Sequence, residues 1–451
     1  MKSSDTNNMT TGNIYRHILL FSIPVFISQL FQQLYNTADS IIVGRFLGTE
    51  ALAAVSSSGP LIFLFTSFFE GVAVGAGVLI SKEFGKGDEE RVNRVVHTSL
   101  ALSIIAGIIL TVAGMLLTPK LLIWINTDPK IIPSAIEYFR IYFAGSLALA
   151  LYNICRGIMM AVGDSKRPLY YLIFSSCLNV GLDILFVGGF GWGVWSAAFA
   201  TVISQFCSCI LCLARLCRKG SILTVSFQKL RLWPEDVYEI LKYGVPSGIQ
   251  NSVIGFANII VQSQINSFGM IATATYGSYS KLEGFVFLPI MSFNMAITTF
   301  VSQNLGAKEY ERAKKGARFG ILGACVLAEI LGILMVIFSR QLLGMFTDDE
   351  AVLALGAIEI GTIAPFYFLL AFSHSVAAVC RGAGKAFVPM FIMLVVWCGI
   401  RITYILTVSR LFGDIRLIYW AYPLTWTISS IIYLIYYLKS DWVRGFEKEA
   451  V

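Results

Sequence analysis

The sequence predicts an all-α membrane protein: twelve transmembrane helices in two six-helix bundles, related by a pseudo-two-fold axis along the membrane normal. Three observations carry that prediction. The chain of 451 residues is 56% hydrophobic and only 14% charged, against roughly 25% charged in a soluble domain, and its mean hydropathy is +0.73. Apolar runs of about 20 residues, the thickness of a bilayer in helical rise, recur along its whole length. The second half also repeats the first about 221 residues later, as in many membrane proteins built from duplicated bundles.

The repeat is legible at several points. Ile18–Pro24 (ILLFSIP) answers to Ile240–Pro246 (ILKYGVP), and Phe84–Arg91 (FGKGDEER) to Leu305–Arg312 (LGAKEYER). Leu121, Leu122 and Asp128 return as Leu342, Leu343 and Asp349, and Ala161–Pro168 returns as Gly382–Pro389. Twelve spans are expected at 17–41, 51–80, 95–117, 135–161, 168–189, 193–214, 240–266, 272–302, 317–338, 354–379, 387–408 and 416–438. Six spans per repeat put both halves into the bilayer in the same sense. The expected organisation is an N-terminal lobe at 14–220, a cytoplasmic linker at 221–239 and a C-terminal lobe at 240–440.

Charge sets the expected orientation. With the N-terminus inside, the inner segments hold 25 Lys and Arg against 7 on the outer side, so both termini are expected in the cytoplasm. The net charge of +7 follows from these short basic links and points to a bilayer, not to nucleic acid. The polar N-terminus and the Gln- and Asn-bearing first span lack the pattern of a cleaved signal peptide, so that span is expected to be retained. Nine cysteines lie mostly in apolar runs. Cys207, Cys209, Cys212 and Cys217 point to several helix faces with no His to complete a metal site, and are read as packing. No Gly-x-x-x-x-Gly-Lys-Ser/Thr loop is present, so energy from a nucleotide is not expected. Nor is there a His-Glu-x-x-His or Gly-x-Ser-x-Gly constellation, and the chain is not expected to be an enzyme.

Polar residues inside the spans carry the functional expectations. Gln29, Gln32, Asn36 and Asp39 are spaced by three, four and three, which places them on one helical face. In the matching span Asn251, Asn258 and Gln262 do the same. Such stripes avoid lipid by facing a watery cavity or by bonding a neighbouring helix. Asn179 and Asp183, one turn apart on the fifth span, add a second acid to the same half. If Asp39 and Asp183 approach each other, repulsion and desolvation favour a bound proton. With Asn179 and Thr201, the same oxygens also suit a small hard cation. At the matching positions the second half has Ile260 to Gln262, Ile400 and Tyr404, with Arg401 alongside, so coupling is expected in the first half. Glu283, following Lys281, is expected in a local ion pair or exposed; Glu70 and Glu329 are further acids in or near spans. His97 is expected at the interface, and His374 is open to a proton role. Prolines at 24, 60, 246, 289, 365 and 423 lie inside spans, each either shaping the bundle or acting as a hinge.

The chain resembles the multidrug and toxic compound extrusion (MATE) family. The resemblance covers residues 14–440 and rests on Asn36-Thr-Ala-Asp39-Ser-Ile-Ile-Val-Gly44, on Asn179-Val-Gly-Leu-Asp183 with Gly188–Gly193 (GGFGWG), on Ala197–Thr201 (AAFAT), and on Gly163–Pro168 with Arg381–Gly384 through Pro389. It implies export of amphipathic, often cationic, organic compounds in exchange for H⁺ or Na⁺. It also implies a coupling-ion site at Asp39, Asn179, Asp183 and Thr201, with Tyr35 and Asn153 beside it, and a bend at Pro24. The expected substrate pathway is Gln29, Gln32, Tyr35, Asn36, Asn153, Asn258 and Gln262. The expected partners are a small organic substrate and the bilayer, with no nucleic acid or nucleotide. The expected protein is a plasma-membrane monomer with no cofactor, and no metal other than Na⁺ at the coupling site. The alternative is a flippase for a lipid-linked saccharide, which would need several Arg or Lys residues around a pyrophosphate.

Overall fold

The computed structural model describes residues 8–124, 127–218 and 223–447, and side chains within them except at 49, 56–61, 64, 65, 409 and 410; Pro60 and the first two residues of the expected linker therefore lie outside the described set. Among the described residues, twelve helical rods answer to the twelve expected spans. The first three are α1 (Ile14–Leu47), α2 (Thr49–Lys86) and α3 (Glu89–Trp124). The fourth is bent by 46° between α4 (Ile132–Ala144) and α5 (Ser146–Ala161). A glycine is required at that bend: a Cβ on Gly145 would lie 2.4 Å from Val202 Cγ2. The fifth rod is α6 (Lys166–Asp183) followed by a π-helical turn, Ile184–Gly189, and the sixth is α7 (Trp195–Leu216).

In the second half α8 (Pro234–Asn266), α9 (Met270–Gly306) and α10 (Tyr310–Ile337) precede the short α11 (Ser339–Leu343). The tenth rod runs from α12 (Glu350–Ile363) through a tight turn into α13 (Tyr367–Gly382). The eleventh is α14 (Phe387–Met393), a π-helical stretch at Leu394–Ile400, and α15 (Arg401–Phe412). The last is α16 (Ile415–Tyr419) with α17 (Ala421–Lys439). Among the described residues, ten rods meet both the length and the apolarity of a membrane span, counting the bent fourth as one. The other two, α2 and α8, are 38 and 33 residues long. On α3, Ile109, Leu116 and Trp124 are 62%, 72% and 80% exposed, as expected of a surface that meets lipid and not water.

The chain divides into two compact units, and the division cuts through two helices. One unit contains Ile27–Val245; the other contains Met9–Phe26 and Pro246–Val451. Each unit thus takes the opening turns of the other repeat's first helix, and the change falls two residues after Pro24 and directly before Pro246. This differs from the expected lobes, which began at 14 and 240. The expected linker is also shorter, because α8 starts at Pro234. Proline is favoured in the first turn of a helix, and Glu235 and Asp236 complement its dipole there.

The matched arginines of the repeat show how each unit holds its foreign segment. Arg91 donates to Glu239 Oε1 at 2.7 Å, and Arg94 grips Asp236 through Nε at 2.8 Å and Nη2 at 3.0 Å. In the other unit Arg312 donates to the carbonyls of Met9, Thr11 and Gly12 at 3.1, 2.9 and 2.7 Å. Asp236 is fully buried while Arg94 keeps about a third of its surface. Breaking a buried pair by removing one partner costs about 3–5 kcal/mol, because the remaining charge is stranded. Arg94→Ala should therefore lower the melting temperature of the purified protein clearly, and Arg94→Met with Asp236→Leu should recover part of the loss. No change in melting temperature for Arg94→Ala would show that the clamp contributes nothing.

Candidate functional site

The polar face of α1 opens onto a cavity of about 390 Å³ inside the unit containing Ile27–Val245. Gln32, Tyr35, Asn36 and Asp39 all line it, as the three-and-four spacing requires of one face. Gln29, one turn earlier, belongs to the same unit but is half-buried and outside the lining. Facing α1 are Asn179 of α6, Thr201 of α7 and Asn153 of α5. Asn258 and Gln262 belong to the other unit. There Asn258 is exposed, and Gln262 donates to Asn266 on its own helix at 2.8 Å, so neither joins this cavity.

Asp39 and Asp183 lie within hydrogen-bonding reach of each other. Asp183 is fully buried and Asn179 nearly so. Neither oxygen of Asp183, nor Asp39 Oδ1, nor Asn179 Oδ1, meets an N–H or O–H donor. Asn179 instead donates from Nδ2 to Thr201 Oγ1 at 3.4 Å, and that hydroxyl donates to Ala197 O at 3.1 Å. Four acceptor oxygens are thus turned inward without a donor, at a place where burying even one unpaired charge is costly. Such a cluster has the chemistry to take up a proton or a small cation. The π-helical turn begins at the residue after Asp183. Such turns are frequent at functional sites.

Several lining groups were not anticipated. Tyr138, Tyr142 and Tyr152 add aromatic walls, and Ser204 and Ser208 continue the Thr201 face of α7. Their signal was present as a three-then-four polar spacing, of which only Thr201 was selected. Arg156 lines the cavity too, with Nη2 3.8 Å from Glu70 Oε1. His97 is buried: its Nδ1 meets Asn93 O at 2.7 Å, and its Nε2 accepts from Ser226 N–H at 3.1 Å. Glu283 pairs with no neighbouring lysine; it accepts from Tyr279 Oη at 3.0 Å, while Lys281 turns over the Phe346 ring. His374 is buried edge-to-face with Phe287 and Trp397, its Nε2 without a partner.

A multi-pass helical protein with a buried acidic cavity in one half of a duplicated chain has the build of a membrane transporter. The MatE family pattern matches residues 24–185 and again 246–407, and the chain belongs to that family of multi-pass plasma-membrane transporters. It is 30% identical over 442 residues to the probable multidrug resistance protein YoeA of Bacillus subtilis, covering 96% of this chain and 95% of that one. The probable multidrug resistance protein NorM of Thermotoga maritima is 25% identical, with 85% of this chain and 83% of that one covered. Among solved structures, a multidrug resistance MATE family transporter in an outward-facing conformation superposes with a TM-score of 0.91 at 22% identity, covering 99% of this chain and all of that one. The last likeness concerns the fold.

Proposed function

We propose that this protein exports amphipathic, often cationic, organic compounds in exchange for H⁺ or Na⁺ by alternating access, with the coupling ion held by Asp39, Asn179, Asp183 and Thr201. The single observation that supports this most is that the Asp39 and Asp183 carboxyl groups come within reach of each other with three of their oxygens buried and unpartnered. Two touching carboxyls cannot both ionise unless a cation lies between them, so one H⁺ or one Na⁺ satisfies the pair. Four tyrosine rings, Tyr35, Tyr138, Tyr142 and Tyr152, line the same cavity and suit an organic cation through their π faces. Relatives named for multidrug resistance support the same substrate class.

Coupling requires that ion and drug favour different states of the transporter. A cavity wall shared by both ligands supplies that competition: a drug cation and the coupling ion neutralise the same carboxylates. We place the bend that accompanies the change at Pro24, and the cytoplasmic side at both termini. Pro24→Ala should keep the protein level and slow transport; an unchanged rate removes the hinge. The working form is taken to be the monomer, because this cavity is lined from within one unit. A 24% identical relative is named as an FAD transporter, and a lipid-linked saccharide would likewise bring a pyrophosphate. Among the described residues Arg156 is the one Arg or Lys lining the cavity, and Glu70 faces it, which disfavours a dianionic cargo.

Transport in proteoliposomes, with pH and Na⁺ gradients imposed separately, tests the reading. One of the two gradients should drive uptake of an organic cation such as ethidium. No uptake above protein-free vesicles under either gradient would refute ion-coupled export.

A further inference from the structure

The cavity bordered by α1 has two chemically different ends. Its lining covers a step of seven residues on each of three helices, Gln32 to Asp39, Leu172 to Asn179 and Thr201 to Ser208, so it is about 10 Å long. Asp39 and Asn179, with their bare oxygens, mark one end. Arg156 belongs to the other. Counted from Gly163, in the turn between α5 and α6, Arg156 lies seven residues back and Leu172 nine forward, whereas Asn179 lies sixteen forward.

Donors replace acceptors at this second end. The Arg156 guanidinium carries five N–H donors, and among the described residues none of them makes a hydrogen bond; Glu70 Oε1 of α2 stands 3.8 Å from Nη2, beyond hydrogen-bonding distance. Helical side chains lean toward the N-terminus of their helix, and α5 begins on the acid side, so the guanidinium leans into the cavity. Two hydroxyls lie at the next level. Tyr152 is one turn before Arg156, eleven residues back from Gly163, and Ser176 is thirteen forward. Both line the cavity, at 7% and 5% exposure, and neither Tyr152 Oη nor Ser176 Oγ has a hydrogen-bond partner. A buried hydroxyl without a partner is costly, and an acceptor on a ligand relieves that cost.

Glu70 is the solvated member of the ion pair, its side chain 46% exposed against 18% for Arg156. Such a half-exposed, long pair contributes little, so a carboxylate that engages the guanidinium through two parallel hydrogen bonds displaces it.

We propose that Arg156, Tyr152 and Ser176 form an anion subsite that takes a carboxylate, and that Glu70 holds the arginine until such a ligand arrives. The favoured cargo is an organic cation that also carries one carboxylate within about 10 Å of its positive charge. The cation goes to Asp39 and the carboxylate to Arg156. A further negative group would meet Glu70, so a zwitterion fits and a dianion does not. The subsite rests on the exporter reading of this cavity and narrows its substrate class.

The probes are rhodamine B, a fluorescent zwitterion, and its ethyl ester, which keeps the cation and loses the carboxylate. Their binding to the full-length protein in lipid nanodiscs is read by fluorescence anisotropy against empty nanodiscs. The wild type should bind the zwitterion about tenfold more tightly than the ester. Arg156→Gln should bring the two dissociation constants together. Glu70→Gln should widen the preference, because it removes the competing carboxylate; a merely structural ion pair would not respond in that direction. Equal binding of both dyes by the wild type, a preference that survives Arg156→Gln, or one that fails to grow in Glu70→Gln overturns the subsite and leaves the exporter reading in place. Binding of neither dye counts against the exporter reading and takes the subsite with it. Should Arg156→Gln fail to fold, Tyr152→Phe takes its place: the preference should fall severalfold, and an unchanged preference overturns the assignment.

Discussion

Asp39→Asn is expected to reduce drug resistance to that of cells lacking the transporter, while the amount of protein in the membrane stays unchanged. Asparagine keeps the shape of the side chain and removes its charge, so the site becomes permanently neutral at one of its two acids. A lone Asp183 has no like charge against it and no partner with which to share a proton, so the exchange of ion for drug loses its switch. Asp183→Asn should behave in the same way, because the pair acts as a unit. Asn179→Ala should be milder: it removes one neutral oxygen and the 3.4 Å contact to Thr201 and leaves both acids in place. The measurement is ethidium efflux and growth inhibition, normalised to protein quantified in the membrane fraction. Wild-type efflux from Asp39→Asn would remove this residue from the mechanism and, with it, the coupling scheme.

Gly75→Leu is expected to have the largest effect on folding. A Cβ at Gly75 would stand 2.4 Å from both Gly244 N and Ile240 O, so α2 and α8 meet there backbone to backbone. No side chain can rotate away from that clash, and the two helices would have to separate. From the other side, a Cβ on Gly244 would lie 2.9 Å from Val72 Cα. Without a hydrophobic drive between helices in lipid, such close small-residue contacts supply much of the packing. Overpacking a tight site costs about 1–3 kcal/mol and more where backbone is the obstacle. Gly75→Leu should therefore abolish the monodisperse peak in size-exclusion chromatography, and Gly244→Ala should lower the melting temperature. Gly77→Ala is the control, since its Cβ would sit at an ordinary 3.7 Å from Gly157 O. Equal stability of all three variants would remove the close approach as a source of packing energy.

Much of the candidate site was legible before the coordinates. The Gln32–Asn36–Asp39 stripe shares one helix face by spacing alone, and so do Asn179 and Asp183; both stripes do face inward. Arg156 gave no sign of lining the cavity, because an apolar pattern cannot say how deep a cavity reaches. Glu283 was read from its neighbour Lys281, yet on a helix those two residues point in different directions. The unit boundaries were set at loops because loops are visible in composition, whereas a helix that serves two units has no such mark.

From the sequence alone came the membrane, the duplication, the helix count and the residues sharing each face, since hydropathy and the 3.6-residue period are properties of single segments. Only the tertiary structure decided which faces meet: that Asp39 touches Asp183, that Arg156 reaches the cavity, and that α1 and α8 change allegiance beside their prolines. Encounters between helices depend on where backbones can approach, as at Gly75 and Gly244, and a glycine carries no label naming the helix it will admit.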